Sequence, residues 1–240
     1  MCNKCEITHS NFFKKHKIHN LGNDIMSRDD PEKINEYFYN QICNFNESTI
    51  LNPNLSNDED SGKLDNVDIE ISNNLKDFCK SNSIAEEDLF LAAMVLSLNK
   101  FNFTDETLIF HGNNIPFAIK LEDRNLTINE YLNTIHDTFK QNSEYENESV
   151  PELLEKFNLE PQFYYSYNEN DANDNYLNKL SITSSPEKIM LSFSYNDNLY
   201  SNDYAELFLK SIENILNQII SNDLDKIRIC DIALLKDNKE

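Results

Sequence analysis

The stretch from Glu86 to Phe101 limits most strongly what this chain can fold into. At helical spacing Leu89, Phe90, Ala92, Ala93, Leu96 and Leu98 wrap most of a helix circumference, so the helix needs burial on more than one side. Glu86, Glu87 and Asp88 stand in its first turn, where acidic groups meet the positive end of the helix dipole. The apolar run Leu89 to Leu98 contains Ser97 and is followed by Lys100, far short of the roughly 20 apolar residues that cross a bilayer. Such a helix belongs in the middle of a layered body.

The flanking sequence supplies the layers. Val67-Asp68-Ile69-Glu70-Ile71 alternates, as a strand with one buried face does. Leu75 to Lys80 predicts a short helix broken at Ser81-Asn82-Ser83. Thr107 to Phe110 and Ile115 to Leu121 read as strands joined through His111-Gly112-Asn113-Asn114, a tight antiparallel hairpin. Thr127 and Glu130 form a capping box ahead of a helix with Ile128, Tyr131, Leu132, Ile135 and Phe139 on one stripe. Pro151 opens a short helix, Glu152 to Phe157.

Phe163 to Tyr167 and Ile189 to Tyr195 read as two aromatic-rich strands, and Ser184-Ser185-Pro186 between them as a loop. Ser201-Asn202-Asp203 caps a long helix with Tyr204, Leu207, Phe208, Ser211, Ile212, Ile215, Leu216 and Ile219 on one face. Ile227, Ile229 and Ile232 suggest a last extended segment. Ahead of all these, Asp30-Pro31-Glu32 starts a helix to about Asn44, and Asn46 to Asn66 reads as an exposed loop. Strands and helices thus mix along the chain, which predicts an α/β (α+β) fold, a mixed sheet covered by helices.

Charge narrows the function. Among 240 residues, 42 acidic side chains face 21 basic ones, a net charge of -21 that repels phosphate backbones and argues against nucleic acid as a partner. Nothing at Met1 to Asn20 has the unbroken apolar stretch of a secretion signal, so a cytoplasmic location is expected, with no membrane partner. Cys2, Cys5, Cys43, Cys79 and Cys230 are an odd, scattered set, which predicts reduced thiols. Cys79 and Cys230 have apolar neighbours and are expected to be buried. Residues 1–30 show neither period and read as a flexible, basic, histidine-containing tail. Within it Cys2, Cys5, His9, His16 and His19 could offer zinc four ligands, but their spacing fits no finger pattern and structural zinc is not expected.

The order of these elements resembles one family, the C-terminal lobe of nonribosomal peptide synthetase condensation domains, within the chloramphenicol acetyltransferase-like acyltransferases. Glu36-Tyr37-Phe38-Tyr39-Asn40-Gln41-Ile42 is similar to the helix that leads from the family's first lobe into its second. Leu75 to Phe101 resembles its short helix, turn and long Leu/Ala-rich helix. Asp105-Glu106-Thr107-Leu108-Ile109 stands where the family has an acidic pair before a buried strand. Asn113-Asn114-Ile115-Pro116-Phe117 is similar to its Asn-Thr-Leu-Pro-Leu strand, and Leu126 to Phe139 to the helix after it. Val150-Pro151-Glu152-Leu153-Leu154 resembles its Pro-Phe-x-x-Leu element. Leu191 to Asn196 with Leu199-Tyr200-Ser201 is similar to the strand and turn before its last helix, and Ile229 to Leu235 to the segment that runs toward an adenylation domain.

The resemblance implies a lobe over residues 31–235, between tails at 1–30 and 236–240, and a peptide-bond-forming activity for the family. It also shows what this chain lacks. The family's His-His-x-x-x-Asp-Gly motif lies in the first lobe, and no two histidines are adjacent here. The Asn-Arg-containing stretch with Gly-x-Phe, which precedes the Asn-Thr-Leu-Pro strand in the family, is cut to a few residues between Phe110 and Asn113. His111 is expected in the hairpin turn, and His136 beside an apolar stripe as a partly buried core or edge histidine. No catalytic, cofactor-binding or metal-ligating residue is assigned, and no cofactor.

Three functions compete. The chain is a degenerate interaction module of a thioester assembly line, non-catalytic alone. Or it is half of a split acyltransferase whose partner brings the histidine motif. Or it is a small metal-responsive binding protein. Carrier protein, an adenylation domain or a complementary condensation lobe are the partners the resemblance implies.

Overall fold

The computed structural model describes residues 31–55, 62–144, 151–169 and 176–235, with side chains from residue 36 onward except at Ser143. Helix α1 (Pro31–Ile42) leads into β1 (Leu64–Ile71), α2 (Asn74–Asn82) and α3 (Glu86–Asn102). A hairpin of β2 (Glu106–His111) and β3 (Ile115–Lys120) follows, then α4 (Ile128–Ser143) and α5 (Pro151–Phe157). Three strands, β4 (Phe163–Tyr167), β5 (Asn178–Ser184) and β6 (Ile189–Asn196), precede α6 (Asn202–Ile220) and a single 3-10 turn (Ile229–Asp231).

The strands form one mixed sheet in the order β1-β6-β5-β4-β2-β3. β2, β4 and β5 run parallel to one another, whereas β1–β6, β6–β5 and β2–β3 are antiparallel. Alternation fixes which residues face the main core. On β1 these are Val67, Ile69 and Ile71, on β5 Leu180 and Ile182, on β6 Leu191, Phe193 and Tyr195. Helices α2, α3, α4 and α6 cover that face. As the sequence requires, α3 is central, and every residue from Asp88 to Asn99 is buried. Tyr131 of α4 is fully buried and satisfies its hydroxyl by donating to the Ala92 carbonyl at 2.9 Å. Helix α6 lies across the sheet through Phe208, Leu209, Ile212, Ile215, Leu216 and Ile219.

The opposite face is covered over one half. Phe38 and Ile42 of α1 and Leu153 and Leu154 of α5 pack with Leu108, Phe110 and Tyr164 over β3, β2 and β4. Pro116, which has no N–H for a ladder, lies on β3 at the sheet edge, where that loss costs least.

Several expectations need correction. β5 is a strand that the sequence reading passed over, and Ser184 is its last residue, so the loop begins after it. The Asn46 to Asn66 connection is not exposed throughout. Leu51 is fully buried, held by its N–H donating to Asn178 Oδ1 at 3.1 Å and its carbonyl accepting from the Tyr200 hydroxyl at 2.5 Å. The last segment turns into a 3-10 helix, joined to the body by a one-residue bridge between Thr127 and Arg228. Cys230 is exposed, because Ile229 and Ile232 on either side take the buried positions; Cys79 is buried as expected. The Asp30 cap and the whole 1–30 segment lie outside the described residues, as do residues 236–240.

Candidate functional site

Because β2, β4 and β5 are parallel, their carboxyl ends bring His111, Tyr167 and Ser184 to one edge of the sheet, the edge where α3 begins. The carboxyl ends of parallel strands are where open α/β sheets place ligands. Here the first turn of α3 fills the position. Glu86 accepts hydrogen bonds from the Tyr167 hydroxyl at 3.1 Å and the Ser184 hydroxyl at 2.7 Å, and the buried Tyr165 hydroxyl donates to the Glu87 carbonyl at 2.9 Å. Burial holds the Tyr165 phenol well above its usual range, and burial likewise pushes Tyr167 to about 12.

Next to these groups His136 Nδ1 stands 2.7 Å from Asp88 Oδ2. The Asp88 side chain is buried and the His136 ring half-exposed. Forty-eight residues separate the two, so sequence proximity could not pair them. A carboxylate at Nδ1 orients an imidazole and fixes its tautomer, as it does in catalytic and metal-binding histidines. A nucleophile must then lie within reach. The nearby Cys79 thiol is not one, since burial, with the Glu86 and Asp88 charges, pushes it up to about 12. The Ser184 hydroxyl is turned to Glu86. This pair is a surface brace between α3 and α4.

His111 is placed differently from the expectation. It is the last residue of β2, only 6% exposed, with its ring 4.8 Å from that of Phe139. Its Nε2 has no hydrogen-bond partner, and burial drives its pKa down to about 4, so the ring is neutral. A proton acceptor must reach the group that it serves. His111 faces hydrocarbon instead. Among the described residues no three side chains of metal-binding type converge, and Cys2, Cys5, His9, His16 and His19 lie outside them.

The second notable surface is the half-face of the sheet that α1 and α5 leave bare. Alternation sends Asn66, Asp68 and Glu70 of β1, Met190, Ser192 and Ser194 of β6, and Lys179, Ser181 and Thr183 of β5 to this side, all exposed or half-buried. Register sets Asp68, Ser192 and Ser181 in one row across three strands, with Asn66, Ser194 and Lys179 in the next. Asn66 accepts from the Ser194 hydroxyl at 3.0 Å and donates to Asp68 at 2.7 Å. This is a hydroxyl-rich, polar wall. The alternation in Asn178 to Ser184 is a period-2 signal that marks β5, the third strand of this wall.

No known protein-family profile matches the sequence, and no curated protein does. Solved structures do match in fold. The chain superposes on a four-domain nonribosomal peptide synthetase bound to AMP and glycine with a TM-score of 0.73 at 12% identity, over 90% of this chain and 21% of the synthetase. The X-domain in complex with OxyB from teicoplanin biosynthesis gives 0.72 at 14%, over 86% of this chain and 56% of the X-domain chain. The condensation domain of the monacolin K polyketide synthase gives 0.69 at 13%, over 82% and 58%. The chain therefore has a condensation-domain-like fold. It spans little more than half the length of the condensation-domain and X-domain chains, and about a fifth of the synthetase.

Proposed function

We propose that residues 31–235 act as the C-terminal lobe of a condensation-type acyltransferase, a module that offers one wall of an acyl-transfer site and does not join substrates alone. The observation that carries this reading is the half-covered sheet. The core is closed by helices on one face, while the β1-β6-β5 half of the other presents a polar wall. Such a wall suits a water-filled space or a polar partner surface better than the apolar core of an obligate interface. The chemistry agrees. An amine attacking a thioester must lose a proton, and the two histidines in the described residues are a buried neutral ring and a surface brace.

The partner class follows from the neighbours' setting, a synthetase with further domains in one case. Carrier proteins, an adenylation domain and a histidine-bearing lobe are the partners proposed. The splitting of a condensation enzyme over two chains is favoured by the same bare half-face, which leaves room for a second lobe.

Titration of the isotope-labelled chain with a separately made lobe carrying His-His-x-x-x-Asp-Gly tests the surface. Shift changes are expected at Asp68, Ser181, Ser192 and neighbouring positions, and Ser181→Arg with Ser192→Arg should weaken the effect at least tenfold. Shift changes confined to the α2–α6 helical side would contradict the assignment of this wall.

A further inference from the structure

After α6 the chain returns to the body and ties several of its parts together. The carbonyls of Leu224 and Ile227 accept from the N–H groups of Asn129 at 3.0 Å and Ile128 at 2.9 Å, two of the donors that the first turn of α4 leaves open. The N–H groups of Ile229 and Cys230 then donate to the carbonyls of Leu126 and Arg124, each at 3.0 Å. Ile229 and Ile232 lie one 3-10 turn apart and both join the main core, while Arg228, Cys230, Asp231 and Ala233 stay exposed.

Helix α6 holds the far end of this segment with side chains. Gln218 Oε1 accepts from the Ala233 N–H at 2.9 Å and Gln218 Nε2 donates to the Ala233 carbonyl at 2.8 Å, and the same carbonyl accepts from Asn214 Nδ2 at 3.1 Å. Exchanging both bonds with one residue is what a neighbouring strand does in an antiparallel ladder. Here a carboxamide does it. Asn217, Ser221, Asn222 and Leu235 complete an uncharged groove around the contact.

We propose that residues 228–235 are a latch, an internal ligand that leaves and re-enters its slot as one unit while the rest of the lobe stays folded, with Gln218 as its keeper. Two observations set the segment apart from the body. Its fully buried anchors are two isoleucines, against nine buried residues along α6, and its strand pairing is the one-residue bridge between Thr127 and Arg228. Segments with few buried contacts open at a lower free energy than the core around them. The slot recognises main-chain groups and an Ile-x-x-Ile-Ala pattern, so it fits a short polypeptide segment, and tethering keeps the chain's own copy in place ahead of any other. A segment of the same pattern from another chain enters only when the latch is out.

Residue-resolved amide exchange on the full-length protein tests the unit. The amides of Ile229, Cys230 and Ala233 should exchange together and at least tenfold faster than the slowest of α3, and Gln218→Ala should speed all three at least tenfold further while α3 is unchanged. Latch amides that exchange no faster than the slowest of α3 would overturn the proposal, and so would an effect of Gln218→Ala confined to Ala233. A fluorescently labelled synthetic peptide with the sequence of residues 228–235 tests the slot. It should bind the Ile232→Asp variant, whose own latch no longer docks, at least tenfold more tightly than the wild type. Equal binding to the two, binding to neither, or loss of α3 protection in Ile232→Asp would show that the segment is part of the core and not a ligand of it.

Discussion

Among single residues, His111 has the clearest consequence. Its pKa falls from 6.5 in an unfolded chain to about 4 in the fold because burial disfavours the charged ring. Above pH 6.5 both states are neutral and the fold has its full stability. As pH drops from 6.5 toward 4, only the unfolded chain takes up the proton, so stability is lost, by roughly 3 kcal/mol at about 1.4 kcal/mol per pH unit. His111→Phe, which keeps an aromatic ring against Phe139, should flatten that part of the pH profile in denaturant titrations; an unchanged slope would show that other groups set it. Gly62 is a second sensitive point. A Cβ there would collide with the Asn196 side-chain amide, and Asn196 is buried at the end of β6, so the side chain cannot swing clear without losing its bond to the Asn198 N–H. Gly62→Ala is expected to lower stability by about 1–3 kcal/mol, as overpacking does, and an unaltered melting temperature would contradict the close approach. Neither effect was legible beforehand, since both depend on which strand ends lie side by side.

At the scale of elements, local signals told most of the story. The all-round apolar pattern of Glu86 to Phe101 gave a central helix, and the stripe through Phe208, Ile212 and Ile215 gave a helix docked on a sheet. The Thr127–Glu130 capping box forms in both directions, Thr127 Oγ1 accepting from the Glu130 N–H and Glu130 from the Thr127 N–H at 2.8 Å. Thr127→Ala should cost about 1 kcal/mol in chemical denaturation, and no change would show the cap to be redundant. Ile212 is fully buried, so Ile212→Asp strands a charge without a partner at a cost of several kcal/mol and should unfold the domain. A retained melting temperature would place that face in water. β5 escaped notice because only Leu180 and Ile182 along it are large and apolar, and it follows an Asn-rich stretch that reads as loop. The Asp88–His136 brace escaped because α3 and α4 are brought together by tertiary packing, which no spacing rule encodes.

For the molecule as a whole, the sequence conveyed the mixed sheet and its helical cover, because strand and helix periods alternate along the chain. The strand order was beyond it, and with it the half-face that α1 and α5 leave uncovered and the place of β1 at the end of the sheet. Those two features arise from long-range pairing of β1 with β6, more than a hundred residues apart. Among the described residues no helix is long and apolar enough to cross a membrane. In the role proposed above, a lobe with this wall would hold and orient carrier-bound groups. Positioning without a proton acceptor and without an opposite wall leaves the barrier to amide formation high. The direct measurement is amide-bond formation by the purified full-length chain supplied with acyl-loaded and aminoacyl-loaded carrier proteins, followed by mass spectrometry of the carrier-bound products. The expected result is no product from this chain alone, and product only when a lobe bearing His-His-x-x-x-Asp-Gly is added. Product from the chain alone, abolished by His136→Ala or His111→Ala, would contradict the account and make one of those histidines catalytic.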